Sequence, residues 1–290
     1  MKPAPFDYHA PDTIDGVLQL LTDLDDAKVL AGGQSFIPLL SMRLAVFEHV
    51  IDLRRVEELR GIQQTDGSVW IGASTTQATV ERDADVARLV PLLARAVPLI
   101  GHFQIRNRGT IGGSLAHADP ASELPAVALA LDAEFEAVSV RGRRTIPAAE
   151  FFTGTWSTAL DDDEILARVG FPIWTGRCGF AVEEVARRHG DFAIAGACVA
   201  VEVDPQGAVQ RCAIGLFGLG STPVRATTAE QSVLDARASE VDASALGRAA
   251  VNDLASVPYD LNGSADYRRR VGATVVARAW ASAIEEALRD

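Results

Sequence analysis

The sequence predicts a two-domain protein of mixed helices and strands, with a boundary near residues 174–178. Over the first part of the chain, short helical and strand-like patterns alternate. From about residue 176 the pattern changes to long strand-like runs, and helical stretches end the chain. Thr175 and Gly176 interrupt the periodicity between these two parts. A chain of 290 residues is long enough for this division and for a sizeable buried core.

Helices and strands follow one another closely at the start of the chain. Residues 13–24 have apolar positions at helical spacing, and Thr13 is a candidate N-cap. Residues 27–33 indicate a short strand that ends in glycines. Residues 35–45 then predict a helix that Ser35 can cap. Two glycine-rich turns of this strand-to-helix kind recur in the chain, and the second lies about eighty residues later.

The remainder of the first domain continues the alternation. Residues 49–53 predict a strand, and residues 61–74 predict a hairpin around Asp66 and Gly67. Residues 76–101 hold two helical stretches, with prolines at the start and at a kink or stop of the second, namely Pro91 and Pro98. A helix, a hairpin and a strand are predicted at residues 122–133, 134–152 and 163–173.

The second domain is predicted to be a sheet followed by helices. Long strand-like runs occupy residues 178–188, 196–204 and 208–219. Residues 204–207 form the turn between the last two runs, because Asp, Pro and Gly favour turn geometry there. Helices are predicted in pieces over about residues 226–256 and as one element over residues 264–289.

Composition and charge exclude several classes of function. The net charge of −12 makes nucleic acid a poor partner, because phosphate binding needs clustered Lys and Arg. No apolar run reaches the roughly 18 residues that a membrane span needs, and the first residues lack the apolar segment of a secretory signal. We therefore expect a cytoplasmic protein without a membrane span.

The cysteines do not form a metal or disulfide framework. They are Cys178, Cys198 and Cys212, with no CxxC pair. An iron–sulfur cluster usually needs four thiolates at close spacing, so the chain is not expected to hold one alone. We interpret the cysteines as small buried apolar residues. His117 and Asp119 lack a third ligand nearby in the sequence, so no metal site is predicted.

Each glycine turn exposes backbone N–H groups at the start of a helix. Residues 31–35 read AGGQS, and residues 110–114 read TIGGS. Converging N–H groups and the helix dipole favour an anion such as phosphate. Two turns of this kind can hold the two phosphates of a dinucleotide from opposite sides. Neither turn matches the Rossmann or the P-loop motif, and a tight structural turn is the alternative for each.

Four segments resemble the FAD-binding medium subunit of the molybdenum hydroxylases, the family of carbon monoxide dehydrogenase and xanthine dehydrogenase flavoproteins. They are the AGGQS turn, RNRGTIGGSLAHADPASELPA (106–126), EVARRHGDFAIAGA (184–197) and GLFGLGSTPVRA (215–226). The resemblance covers nearly the whole chain. It implies an α+β fold of the vanillyl-alcohol-oxidase or PCMH-like type in residues 1–175, with subdomains of about 1–57 and 58–175. A C-terminal α/β domain of the CO dehydrogenase flavoprotein type follows in residues 176–290.

The resemblance also implies which residues bind FAD. The first pyrophosphate loop comprises Ala31, Gly32, Gly33, Gln34 and Ser35, followed by Phe36; the second comprises Thr110, Ile111, Gly112, Gly113 and Ser114. Glu123 is expected to contact the flavin nucleotide, and Asp119 is the competing candidate. Three apolar residues are expected near the adenine, the cofactor and the isoalloxazine ring, with plain core packing as the alternative: Ile100, Leu166 and Phe192. No catalytic residue is assigned.

Further expectations concern function and partners. The family resemblance implies an electron-transfer subunit, with two 2Fe-2S clusters on a small partner and the molybdenum cofactor on a large partner, in a dimer of heterotrimers. A self-contained flavin oxidase of the vanillyl-alcohol-oxidase type is the alternative. Arg106 and Arg108 precede the second turn and are candidates for the diphosphate or an interface. The segment 267–269 is expected at a subunit contact. Valine at Gly112 and Gly113 is expected to block the approach of the diphosphate.

Overall fold

The computed structural model describes residues 2–289 as a mixed α and β protein. The strands are β1 (Asp7–His9), β2 (Ala27–Leu30), β3 (His49–Asp52), β4 (Ile62–Thr65), β5 (Ser68–Gly72), β6 (Glu134–Ser139), β7 (Gly142–Pro147), β8 (Phe152–Gly154), β9 (Ser157–Thr158), β10 (Ile165–Pro172), β11 (Arg177–Val185), β12 (Ala195–Val203), β13 (Val209–Phe217) and β14 (Val224–Arg225). The α-helices are α1 (Ile14–Asp23), α2 (Phe36–Met42), α3 (Gln77–Arg82), α4 (Ala84–Leu89), α5 (Pro91–Ala96), α6 (Phe103–Arg106), α7 (Ile111–His117), α8 (Glu123–Ala130), α9 (Ala148–Phe151), α10 (Thr227–Ser232), α11 (Ala243–Asn252) and α12 (Ala265–Ala287).

The first residues form a small parallel sheet with the order β1-β3-β2. Thr13 caps α1 as predicted, because its Oγ1 accepts the N–H of Gly16 at 3.1 Å. The predicted cap of α2 is wrong. Ser35 has helical backbone angles, and its side chain makes no cap hydrogen bond. The Ser35 hydroxyl therefore remains available at the N-terminus of α2.

The second sheet is antiparallel and has the order β4-β5-β10-β6-β7. Its first two strands form the predicted hairpin around Asp66 and Gly67. One face of the sheet packs against α1 through a small core that includes Val17, Leu18 and Val138. The other face packs on the main core, to which α5, α7 and α8 contribute. Pro91 is the first residue of α5, where its missing N–H costs no hydrogen bond.

The third sheet is antiparallel, with the order β11-β12-β13-β14. Its central strand β12 is buried on both faces, and successive side chains alternate between them. Cys198 and Ala200 join the main core, whereas Val199 and Val201 join a second core beneath α12. The main core thus contains residues from both sides of the predicted domain boundary, and α8 covers one face of this sheet.

Two approaches of helix to strand depend on glycine in this sheet. A Cβ on Gly215 would lie 2.5 Å from the carbonyl oxygen of Ala126 in α8, so any side chain there would push the helix away. On the opposite face, a Cβ on Gly179 would lie 2.8 Å from the carbonyl carbon of Ala283 in α12. The sheet is therefore held tightly between the first domain and the last helix.

The structure adds short elements that the sequence did not predict. They are β1, β8, β9, β14, α6 and α9. With two to four residues each, they carry too little periodicity to be recognised. Cys198 and Cys212 are buried as expected, and Cys178 is half-buried. Within residues 2–289, no helix combines the length and apolar character that crossing a bilayer requires.

Candidate functional site

The first glycine turn presents a row of unpaired N–H groups. It connects β2 to α2, and the backbone N–H groups of Gly32, Gly33, Gln34 and Ser35 donate to no described residue. Gly33 has a φ of +76°, which favours glycine because a Cβ is strained there. The Gln34 side chain folds back, with its Nε2 donating to the carbonyl oxygen of Gly32 at 3.3 Å. Four adjacent donors without a protein partner are suited to an anionic ligand.

The second glycine turn differs from the first, because its N–H groups are largely used by the protein. Ile111 and Gly112 donate to the carbonyl oxygens of Thr75 and Ala73 at 3.0 and 2.9 Å. Gly113 donates to the Thr110 hydroxyl at 3.0 Å, which caps α7. Ser114 donates to the Thr110 carbonyl at 3.1 Å.

The second turn still offers polar groups to a ligand. The N–H of Thr110 donates to no described residue, although Thr110 is 7% exposed. Its hydroxyl accepts from Gly113 and keeps its own proton free to donate, and the Ser114 hydroxyl has no described partner. The expectation that backbone donors of both turns converge is therefore supported mainly at the first turn, and the second turn contributes hydroxyls and one N–H.

The glycines bring the two turns into contact with each other. A Cβ on Gly32 would lie 2.8 Å from the Cα of Gly109, closer than real Cβ atoms approach. A Cβ on Gly113 would lie 3.0 Å from that of Ala31. Gly112 has a different neighbour, since a Cβ there would lie 2.6 Å from the Cα of Ala73. A valine side chain at Gly112 would therefore strike the chain after β5, and its effect on FAD binding stays a prediction.

Of the two arginines before the second turn, Arg106 has a structural role and Arg108 presents its side chain to solvent. Arg106 is buried and forms an ion pair with Glu81 through hydrogen bonds of 2.8 and 3.0 Å. It also donates to the carbonyl oxygen of Ile100 at 3.0 Å. The backbone of Arg108 lies against Gly32, while its side chain is exposed. Arg106 thus fixes the segment that leads into the second turn, and it is not available to a diphosphate.

An exposed aromatic loop lies beside this segment. Phe192 is 61% exposed, which excludes the core-packing alternative for it. Its loop touches the segment before the second turn, because the rings of His102 and His189 lie 5.8 Å apart. Gly190, with a φ of +85°, lies directly against His102. The loop after β11 therefore extends towards the glycine turns and carries an aromatic side chain that the core does not need.

Sequence reasoning missed the function of Arg268. The segment around it was expected at a subunit contact, but Arg268 is 4% exposed. Its guanidinium donates to the carbonyl oxygens of Ile194 and Gly218 and, at 2.8 Å, to the carboxylate of Asp260. Arg268 therefore holds the chain just after Phe192. The run of arginines around it does not show in the sequence which one is buried, because burial depends on how α12 packs.

The structure distinguishes the two acidic candidates. Both oxygens of Asp119 are occupied, one by the N–H of Ala121 at 2.9 Å and the other by Nε1 of Trp156 at 3.1 Å. Glu123 begins α8 and is 6% exposed. Within residues 2–289, its carboxyl accepts no hydrogen bond from another residue, only one from its own N–H. Glu123 is thus the carboxyl that remains available.

The surroundings of Glu123 favour its neutral form. Burial, and to a lesser extent the carboxyls of Glu184 and Asp119, raise the pKa of Glu123 to about 8, against the opposing effect of its own N–H. Burial raises the pKa of Glu184 to about 7. The Glu184 Oε2 atom is buried and has no hydrogen-bond partner. Burial, together with both carboxyls, also raises the pKa of Cys198.

Three other expected residues have apolar surroundings. Leu166 is buried in the main core, as its core-packing alternative describes. Ile100 is partly buried and packs against the same core. Phe36 packs within the first subdomain, with its ring centroid 5.6 Å from that of Phe47. Of the three, only Phe36 adjoins a glycine turn directly along the chain.

Known proteins similar to this chain match it along almost its whole length. The family model described as the FAD binding domain in molybdopterin dehydrogenase matches residues 4–174. The model described as the CO dehydrogenase flavoprotein C-terminal domain matches residues 180–283. The chain is 43% identical to 6-hydroxypseudooxynicotine dehydrogenase complex subunit alpha from Paenarthrobacter nicotinovorans, over 99% of this chain and 97% of the relative.

Solved structures give the same picture for the fold. A chain of carbon monoxide dehydrogenase from Hydrogenophaga pseudoflava, in a form that lacks the Mo-pyranopterin moiety, superposes with a TM-score of 0.95 at 38% identity, covering 99% of each chain. A chain of quinoline 2-oxidoreductase from Pseudomonas putida 86 superposes with a TM-score of 0.94 at 33% identity, covering 100% of each chain.

Proposed function

The chain belongs to the family of FAD-binding subunits of molybdopterin dehydrogenases, and from this we propose that it carries FAD and passes electrons within a multi-subunit oxidoreductase. The observation that supports this most directly is the row of unpaired N–H groups from Gly32 to Ser35. Such a row fits a diphosphate without any Lys or Arg. The residues present therefore fit the cofactor that the family binds.

The two turns would share the work of binding. Residues 32–35 would donate N–H hydrogen bonds to the diphosphate, and the second turn would add the Thr110 N–H together with the hydroxyls of Thr110 and Ser114. The carboxyl of Glu123 accepts no hydrogen bond from another described residue, whereas both oxygens of Asp119 accept one. Glu123 would therefore contact the flavin nucleotide in preference to Asp119. Phe192 would cover the isoalloxazine ring, because its ring is exposed on a loop that Arg268 holds in place.

The chain's own contribution to the reaction is to position and shield the cofactor. Bound FAD supplies exchange of electrons with single-electron clusters on one side and with an external acceptor on the other. The protein would hold the diphosphate with fixed N–H donors, and the Phe192 ring would shield the isoalloxazine from water. No residue is assigned a catalytic role.

Partner subunits would supply the remaining centres. We propose a small subunit with two 2Fe-2S clusters and a large subunit with the molybdenum cofactor, assembled as a dimer of heterotrimers in the cytoplasm. The relatives' names support dependence on partners, since they describe a subunit of a dehydrogenase complex and the medium chain of carbon monoxide dehydrogenase. A self-contained flavin oxidase is disfavoured, because those relatives align with this chain nearly end to end.

Gly32→Ala tests the proposed diphosphate site. The new Cβ would meet the backbone of Arg108 and Gly109, so the two turns must separate and the N–H row must shift. We expect FAD affinity to fall by roughly 10- to 100-fold, about 1.4–2.8 kcal/mol, measured by titration of the full chain with FAD. Gly154→Ala is the matched control, since its Cβ would meet only the Cβ of Ser157, at 3.7 Å. Unchanged affinity in Gly32→Ala, with the fold intact by circular dichroism, would refute the assignment.

A further inference from the structure

Two carboxyls lie on the same side of the third sheet. On β11, Glu184 is two and four residues from Val182 and Phe180, which pack on the main core. Because side chains alternate along a strand, Glu184 points to this same face, which α8 covers. Glu123 is the first residue of α8. Both carboxyls also act on Cys198, which belongs to the main core on the same face.

These carboxyls have no cationic partner. The charged or titratable groups that act on Glu123 are Glu184 and Asp119, and only burial acts on Glu184. Cys198 faces the pair from β12. In the part of the chain that the structure describes, no arginine or lysine is paired with either carboxyl. Other buried carboxylates here are paired, as Glu136 is with Arg143 and Arg168.

Glu123 is buried and Glu184 is partly buried, so full ionisation of this unpaired acidic pair is costly, and the pair has to serve another purpose or hold protons. Glu123 is more than nine-tenths buried, and Oε2 of Glu184 has no partner. Neutral carboxyls can remain buried and donate hydrogen bonds, and they respond to a change of charge nearby. A flavin that gains electrons acquires negative charge, which is a change of this kind.

We propose that Glu123 and Glu184 form a charge-compensating pair beside the flavin, which binds one proton from water when the cofactor is reduced and releases it when the cofactor is reoxidised. This inference rests on the proposed function. Two electrons and one proton convert the neutral flavin to its singly negative reduced form. A second proton goes to the carboxyl pair, so the charge of the buried region is the same before and after reduction.

The pH range in which the pair responds follows from its environment. Burial raises the pKa of Glu123 to about 8 and that of Glu184 to about 7, and a negative charge nearby favours protonation further. Well below these values both carboxyls already hold protons and cannot take up more. Near pH 8 at least one of them is substantially ionised. The pair should therefore take up the extra proton around pH 8, and its contribution should be absent near pH 5, where the reduced flavin can itself bind a second proton.

Proton uptake on reduction tests this pair. The full chain with bound FAD is reduced at an electrode in weakly buffered solution, with the counter-electrode in a separate compartment so that electrons enter without protons, and a pH indicator counts the protons taken up per flavin. Near pH 8 we expect more than one proton, approaching two, in the native chain. Glu184→Gln should lower the count, because glutamine cannot take up a proton and only Glu123 of the pair remains. Glu183→Gln is the matched control: the neighbouring residue points to the opposite face of β11.

The possible outcomes distinguish a failure of the proposed carboxyl pair from a failure of the proposed FAD function. A native count of one proton near pH 8, or equal counts in Glu184→Gln and Glu183→Gln near pH 8, overturns the carboxyl pair and leaves the FAD function standing. If Glu184→Gln does not fold, the native count near pH 8 decides alone. A full chain that binds no FAD in a titration overturns the proposed function instead.

Discussion

At the scale of single residues, the glycines of the two turns have different reasons to be glycine. Gly33 needs its left-handed backbone, whereas Gly32 needs to lie close to Gly109. Gly112 is needed because a Cβ there would strike Ala73. The sequence shows two similar GG turns, but only the structure shows that the first one has free N–H groups. The two turns are thus similar in sequence but differ in role: the first has N–H groups free for a ligand, and Gly112 of the second serves packing.

The carboxyls of Glu123 and Glu184 should also make stability depend on pH. Their pKa values are raised to about 8 and about 7 in the folded chain, so between roughly pH 4.5 and 8 the folded state holds more protons than the unfolded state. The free energy of unfolding should therefore fall as pH rises through this range. The slope is at most about 1.4 kcal/mol per pH unit for each carboxyl.

Urea unfolding of the FAD-free chain at a series of pH values measures this slope. Glu184→Gln should flatten it, because glutamine does not titrate, and Glu183→Gln should leave it unchanged. Carboxylates with lowered pKa values, such as Glu81, act in the opposite direction but only at more acidic pH, where they become protonated. Identical slopes in native and Glu184→Gln proteins would show that this carboxyl is ionised like an exposed one.

At the scale of elements, α12 joins the two domains through one carboxylate. Glu286 accepts hydrogen bonds at 2.6 Å from both terminal nitrogens of Arg95 in α5, and another at 2.9 Å from the N–H of Phe180. Although burial acts in the opposite direction, the hydrogen bonds from Arg95 and Phe180 lower the pKa of Glu286. Helix, strand and the first domain meet at this point.

Glu286→Gln should weaken this junction. The amide keeps the size of the carboxyl but loses the charge and cannot accept every hydrogen bond, so we expect a loss of about 1–2 kcal/mol in the free energy of unfolding. Glu285→Gln provides the comparison, since Glu285 pairs only with exposed Arg289 and should cost less than about 0.5 kcal/mol. Urea denaturation compares the two, and equal losses would show that the junction adds nothing beyond a surface ion pair.

At the scale of the whole molecule, the core does not stop at the predicted domain boundary. The main core unites residues of the first domain, such as Phe135 and Leu166, with Cys198 and Phe217 of the third sheet. The two predicted domains are therefore packed together around one core. The boundary near residues 174–178 separates the two family models. We expect that the parts on either side of it do not fold independently, because they share the main core.

The isolated chain should bind FAD and show no hydroxylase turnover, since it has no cysteine set for clusters and the molybdenum cofactor is proposed to lie on a partner subunit. Visible absorption and mass analysis of the protein purified from its host provide the test. Flavin absorption together with a small and a large partner is expected, and adding those partners should restore turnover. Turnover by the chain alone, for example reduction by an alcohol or a phenol, would instead favour the self-contained oxidase.

The sequence by itself determined most of the longer elements, because periodicity and turn residues are local: the Thr13 cap, the Asp66–Gly67 hairpin and the long strands are where they were predicted. It also determined the family, because the motifs that carry the resemblance are local stretches of sequence, and the family models match residues 4–174 and 180–283. Only the tertiary structure decided that Ser35 is no cap, that Arg106 and Arg268 are buried, and that Glu123 rather than Asp119 is unpaired. Hydrogen-bond partners, burial and charge depend on segments distant in sequence, and packing brings those segments together.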